Sequence, residues 1–156
     1  MNDANVSGPL ASLLCFHAYA LNRSFARFYQ AAFGESGLTY PKFIVLTALK
    51  DFGPMTVSEL SARAAVEPNT LSPLLKKMAS FDLINRERAE EDERRVVLSI
   101  TEKGSTVLSR AHAVAMQGFE ELGLDADGVE QAVAFMRDAR KRVDATRPPQ
   151  LYFGDL

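Results

Sequence analysis

Apolar residues recur at intervals of three and four along most of this chain, the period of helices with one buried face. After a polar start over residues 1–6, Ser7-Gly8-Pro9 has the character of a helix start, with proline suited to the first turn. Leu10, Leu14, Ala18, Leu21, Phe25, Phe28 and Ala32 then keep one face to the glycines at 34 and 37. Tyr40-Pro41 opens a second helix through Phe43, Leu46 and Leu49, closed by Phe52-Gly53-Pro54. Thr56-Val57-Ser58-Glu59 has the spacing of a capping box and predicts a short helix with Val57, Leu60 and Ala64 inward. Val66-Glu67-Pro68-Asn69 starts another, which runs from Pro68 to about Phe81 with Leu71, Leu74, Leu75, Met78 and Phe81 at core spacing.

The period then changes. Leu83 to Arg88 alternates, and Arg95 to Ile100 is β-branched and apolar, with Ala89 to Arg94 as a charged tip between them. That is a β-hairpin. Thr101-Glu102 begins a long helix with Val107, Leu108, Ala111, Ala115, Phe119 and Leu122 on one face, broken at Gly123. Asp125 caps a last helix with Val129, Ala132, Val133, Met136, Ala139 and Val143 inward, ended by Pro148-Pro149. Two short helices around a tight turn, then a hairpin, make a winged helix-turn-helix. The predicted fold is mainly α with a small β-hairpin wing, as one domain over 1–156. The winged helix occupies about 39–101, between helices over about 9–34 and 102–147. Those flanking helices are apolar on more than one face, which suits dimerisation.

Composition narrows the function. The chain has 156 residues, 47% hydrophobic and 24% charged, as in ordinary globular domains. No apolar run is long enough to span a bilayer, and the N-terminus lacks a secretory signal, so a cytoplasmic location without membrane contact is expected. A single cysteine excludes an intrachain disulfide and multi-cysteine metal sites, and no His/Asp/Glu cluster has metal spacing. No cofactor or metal is expected. Net charge is −2, and from Lys76 to Arg95 six basic residues meet six acidic ones. DNA binding must therefore rest on local placement of charge.

Four stretches together resemble the MarR family of dimeric winged-helix regulators. They are Leu38-Thr39-Tyr40-Pro41, Thr56 to Leu60, Thr70 to Met78, and Asp92-Glu93-Arg94-Arg95 followed by Leu98 to Gly104. The resemblance spans roughly residues 10–145 and implies a homodimer on a pseudo-palindromic double-stranded operator. The helix from Pro68 enters the major groove in such a domain, its N-terminal residues toward base edges. Asn69, Thr70 and Ser72 are the polar residues there, and Lys76 and Lys77 stand where phosphates pass. By resemblance the wing arginine Arg94 reaches the minor groove and Asp92 helps hold the wing, with Arg95 as a further DNA-binding candidate. A solvated face for the lysines, and a simple turn-stabilising pair for Asp92 and Arg94, are the plainer alternatives.

Leu14-Cys15-Phe16, with Tyr19, Tyr29 and Tyr40, is similar to the organic-hydroperoxide-sensing, one-cysteine (OhrR-type) members of that family. The resemblance implies that Cys15 is oxidised and that tyrosine hydroxyls hydrogen-bond it. Cys15 and Tyr19 lie one turn apart on one face. Tyr29 is fourteen residues on, ~21 Å along a helix at ~1.5 Å per residue, so if it serves the thiol, as the resemblance implies, it must do so across a dimer with the first helices antiparallel. The thiolate is the reactive form, and phenolic donors favour it. With Cys15 beyond the first helical turn, the helix N-terminus adds only modestly. A lone cysteine on an apolar helix is otherwise an inert core residue. His17 is expected to pack as a polar interface residue and His112 to be structural. Oxidation would proceed through a sulfenic acid to a mixed disulfide with a small thiol, a sulfenamide or over-oxidised forms. Two further readings remain. One is a repressor released by a small aromatic ligand in the dimer cleft, with Cys15 structural. The other is a cysteine enzyme, which lacks a resolving cysteine and a base; no catalytic residue is expected.

Overall fold

A computed structural model describes residues 8–89, 92–123 and 125–147, with side chains throughout except at 35, 89 and 92–94. The elements run α1 (Leu14–Phe33), α2 (Tyr40–Phe52), β1 (Met55–Thr56), α3 (Val57–Ala64), α4 (Pro68–Ser80), β2 (Ile84–Ala89), β3 (Asp92–Ile100), α5 (Glu102–Glu121) and α6 (Ala126–Ala145). The chain divides into two compact units, 1–118 and 119–156.

The core of the first unit is aliphatic. Val45, Leu46 and Leu49 of α2, Leu60 of α3, Leu71, Leu75 and Met78 of α4 and Leu98 of β3 are fully buried or nearly so. All but Val45 are positions the helical and strand periods mark. The α3 N-terminus is a complete capping box: the Glu59 N–H donates to Thr56 Oγ1, and the Thr56 N–H donates to Glu59 Oε2. The turn to α4 is pinned by Ser61, whose hydroxyl donates to the Val66 carbonyl at 2.7 Å. Ala65 closes α3 in the left-handed region, φ 52°.

The sheet is antiparallel, ordered β1-β3-β2, with Met55 opposite Leu98 and Ile84 opposite Ile100. The two-residue β1 escaped the sequence reading because so short a run carries no alternation. β3 also begins earlier than expected, at Asp92, within the stretch that the sequence marks as a charged tip. Its register jumps from Arg88↔Val96 to Ala89↔Asp92, so residues 93–95 fall in a bulge. α5 is locked onto the sheet by Thr101. Its N–H donates to the Leu83 carbonyl, its hydroxyl donates to the Asp82 carbonyl, and the same oxygen accepts from the Gly104 N–H. A Cβ at Gly104 would stand 2.1 Å from the Leu83 carbonyl oxygen, so only glycine permits this approach.

Two expectations about helices change. The first helix does not run unbroken from Pro9. A 3-10 turn over Pro9–Ser12 ends at Leu13 in extended conformation, and α1 starts at Leu14. Local bonds hold that turn: the Ser12 hydroxyl donates to the Pro9 carbonyl, and His17 Nε2 lies 2.8 Å from the Ala11 oxygen. The predicted inward faces of α1 and α6 are also open within one chain, whereas α5 buries Leu108, Ala111 and Ala115 as its period marks. On α1 only Tyr29 and Phe33 are buried, while Leu14 and Leu21 are exposed. In the second unit, α6 is capped by Asp125, which accepts from the Gly128 N–H, and has no buried residue. Its stripe of Val129, Val133, Met136 and Val143 is exposed, Val143 at 71%. Phe81, read as core, is 52% exposed because α4 has ended one residue before it.

Candidate nucleic-acid interface and thiol site

α4 begins with proline, whose missing N–H costs nothing in the first turn. The Thr70 and Leu71 N–H groups donate to the Glu67 carbonyl. Burying Leu71, Leu75 and Met78 turns Asn69, Thr70, Ser72 and Lys76 outward, all exposed. The Ser72 hydroxyl donates back to the Pro68 carbonyl at 3.1 Å, which leaves its lone pairs facing out. Lys76 and Lys77 are both exposed, but successive helical residues point about 100° apart. Lys76 keeps to the side of Asn69 and Ser72. Lys77 turns to the other flank, where it lines a cavity with Lys42, Phe81 and Lys103.

From the hairpin, Arg95 reaches the start of the helix-turn-helix. It shares a hollow of about 250 Å³ with Thr56, Val57 and Ser58. Glu59 lies near it. The Thr56 N–H, and then the Thr56 hydroxyl, hold the Glu59 carboxyl below its ordinary range, with Arg95 and Arg63 adding to the effect. The Asp92 and Arg94 side chains lie outside the described ones; both residues belong to β3.

The thiol residues fall into two groups. Cys15 is the second residue of α1 and is exposed. It therefore lies inside the first turn, where the sequence reading placed it beyond, because the helix starts late. No side chain caps that turn. Tyr19, one turn on, is 59% exposed, and its hydroxyl accepts from Arg23 Nη1 at 3.1 Å. The acceptor role leaves the phenolic proton free to be donated elsewhere.

Tyr29 and Tyr40 form the second group. Their rings stack with centroids 4.4 Å apart and planes 20° apart. Tyr29 is 8% exposed, with the Phe33 and Phe43 rings 5.4 and 5.7 Å away. Burial, and then Tyr40, push the Tyr29 phenol above its ordinary range, so it stays protonated and able to donate. α1 is one uninterrupted helix from Leu14 to Phe33. It holds Cys15 and Tyr29 ~21 Å apart at ~1.5 Å per residue.

Two participants escaped the sequence analysis. Arg23 stands four residues after Tyr19, a spacing that signals contact. Lys42 is 6% exposed, although its local pattern marks a surface lysine. His112, expected to be structural, has its ring centroid 5.3 Å from that of Phe43. Among the described residues there is no group of three metal-ligating side chains, and no helix is long and apolar enough to cross a membrane.

A helix-turn-helix packed on a three-stranded antiparallel wing defines a winged-helix DNA-binding protein. The family model for the transcriptional regulators SarA/Rot matches residues 27–111, and the chain belongs to that family. It is 42% identical over 99 residues to the HTH-type transcriptional regulator MgrA of Staphylococcus aureus, covering 63% of this chain and 67% of MgrA. It is 35% identical over 102 residues to the organic hydroperoxide resistance transcriptional regulator of Bacillus subtilis, covering 65% and 69%. Its fold is similar to AbfR of Staphylococcus epidermidis, TM-score 0.76 at 25% identity over 88% of this chain and 95% of that one. AbfR has also been solved on DNA in reduced form (TM-score 0.66, 29% identity, 86% and 94% covered) and in overoxidized form (0.70, 25%, 86% and 94%). The MarR-family resemblance is borne out. The chain is a DNA-binding transcriptional regulator.

Proposed function

We propose that this regulator is a homodimeric repressor that senses organic hydroperoxides through Cys15 and then leaves its operator. The observation that carries the reading is the continuity of α1, with an exposed thiol at one end and, toward the other, the buried Tyr29 stacked on Tyr40 of α2. Two chains with antiparallel first helices bring each Cys15 to the partner's Tyr29 and Tyr40. The exposed apolar residues of α1 and of α6 supply surface for such an interface. The similarity to a hydroperoxide-resistance regulator supports the input.

In this reading Asn69, Thr70 and Ser72 read bases, Lys76 and Lys77 meet phosphates, and Arg94 and Arg95 of the wing meet the minor groove and its rim. Asp92 steadies the wing. At the thiol, the hydroxyls of Tyr29 and Tyr40 from the partner and of Tyr19 from the same chain donate to the sulfur. The sulfur attacks one peroxide oxygen, the O–O bond breaks, and the other oxygen leaves as the alcohol after taking a proton. The product is a sulfenic acid. A small thiol then forms a mixed disulfide with loss of water. Apolar walls favour an organic peroxide over hydrogen peroxide.

Gel shifts test this on a duplex selected from a random pool. Cumene hydroperoxide should release the wild-type chain, and hydrogen peroxide should act more slowly. Cys15→Ser should bind as the parent does and stay bound under peroxide. Release of Cys15→Ser by cumene hydroperoxide would overturn the sensing role, and equal rates for the two oxidants would remove the organic preference.

A further inference from the structure

The lysine-ringed cavity between the start of α2, the end of α4 and the start of α5 shares only Lys77 with the reading above. Its volume is about 270 Å³, and Leu38, Phe81 and Val107 give it an apolar floor. Lys42, Lys77 and Lys103 line it, and no carboxylate does among the described residues. Two of these heads are fixed. Lys42 Nζ donates to the Gly37 carbonyl and lies 5.8 Å from the centre of the Phe81 ring. Lys103 Nζ donates to the Phe81 carbonyl at 2.7 Å. An ammonium has three N–H groups, so both keep donors for a guest.

Lys42 is the buried charged residue of the described core. Burial, and then the like charge of Lys77, lower its proton affinity. A buried cation facing a second cation is costly unless an anion joins them. Three ammoniums suit a dianion better than a monoanion, and an exposed phenyl ring on the floor suits a flat or aliphatic body. We propose that this cavity is a binding site for a small phosphate monoester carried on an aryl or alkyl group. Lys42 and Lys103 bind the phosphate, with Lys77 closing from α4, and Phe81 covers the organic body. The phosphate of such an ester is largely dianionic at neutral pH. Because Lys77 and Phe81 flank the end of α4, an occupied site would reach the recognition helix directly.

Calorimetric titration of the full-length, reduced chain without DNA tests the site, with phenyl phosphate as probe. One molecule should bind per chain, and inorganic phosphate and benzoate should each bind at least ~10-fold more weakly, each lacking one half of the recognition. Lys103→Gln, an exposed change, should weaken phenyl phosphate by ~10-fold. Lys42→Met should do the same while leaving the chain folded by its circular dichroism; Lys103→Gln decides alone if it unfolds. Amide shifts on binding should centre on Leu38, Phe81 and Lys103. No heat at millimolar phenyl phosphate, unchanged affinity in Lys103→Gln, or equal affinity for inorganic phosphate would overturn the proposal.

Discussion

Thr56 and Glu59 show how much a single pair of residues can fix. Their reciprocal bonds start α3 and so set the first helix of the DNA-binding unit. Thr56→Ala should cost ~1 kcal/mol in urea unfolding. The Glu59 carboxyl is lowered in the fold chiefly by the Thr56 N–H. The unfolded chain therefore binds this proton more readily. The cap's contribution is complete above the ordinary carboxylate value and is lost as pH falls through the lowered one. Unfolding midpoints of wild type and Glu59→Gln should converge in that acidic window and separate above it. Gly104 acts through contact instead. Gly104→Ala drives a methyl into the Leu83 carbonyl and should cost about 2–3 kcal/mol, read from the shift in urea midpoint. The capping box was legible in the sequence because both partners lie within four residues. The need for glycine at 104 was not, because the clash comes from the carbonyl of Leu83, the residue before β2 and distant in sequence. Lys42 is the same case: nothing local says that the α1–α2 connection will fold over it.

At the scale of elements, the helix-turn-helix and the long helices were legible because each buries one stripe at a fixed period. What was lost lies where local hydrogen bonds outweigh that period. The 3-10 turn before α1 satisfies Pro9 and Ala11 carbonyls with Ser12 and His17, and so delays the helix. That delay moves Cys15 into the first turn. The bulged tip of the hairpin shifts the strand start to Asp92, and a charged stretch gives no alternation to reveal it. On α4, the burial of Leu71, Leu75 and Met78 separates the two neighbouring lysines. Lys76→Ala should weaken binding to all duplexes alike and lower the slope of log affinity against log salt by about 1. Asn69→Ala should leave that slope alone and cost ~1–3 kcal/mol of discrimination at one base position. Titrations across a salt series on matched and mutated duplexes separate the two.

The whole molecule is where one chain stops explaining itself. The first unit has a well-filled core around α2, α3 and α4, yet α1 leaves Leu14, Leu21 and Tyr19 exposed. The second unit consists largely of a helix with no buried residue. Sequence periodicity marked these faces as inward without saying inward to what. The thiol site divides in the same way, Cys15 at one end of α1 and the Tyr29–Tyr40 stack at the other. If the site is shared, each chain of a dimer supplies half of two sites. A mixed dimer of Cys15→Ser with a Tyr29→Phe/Tyr40→Phe chain tests this directly. It retains one Cys15, on the chain that lacks the Tyr29 and Tyr40 hydroxyls, facing a partner in which both are intact. The rate at which cumene hydroperoxide oxidises that thiol should equal the wild-type rate per site. A rate equal to that of the Tyr29→Phe/Tyr40→Phe homodimer, itself slower than wild type, would place thiol and tyrosines in one chain and contradict the account.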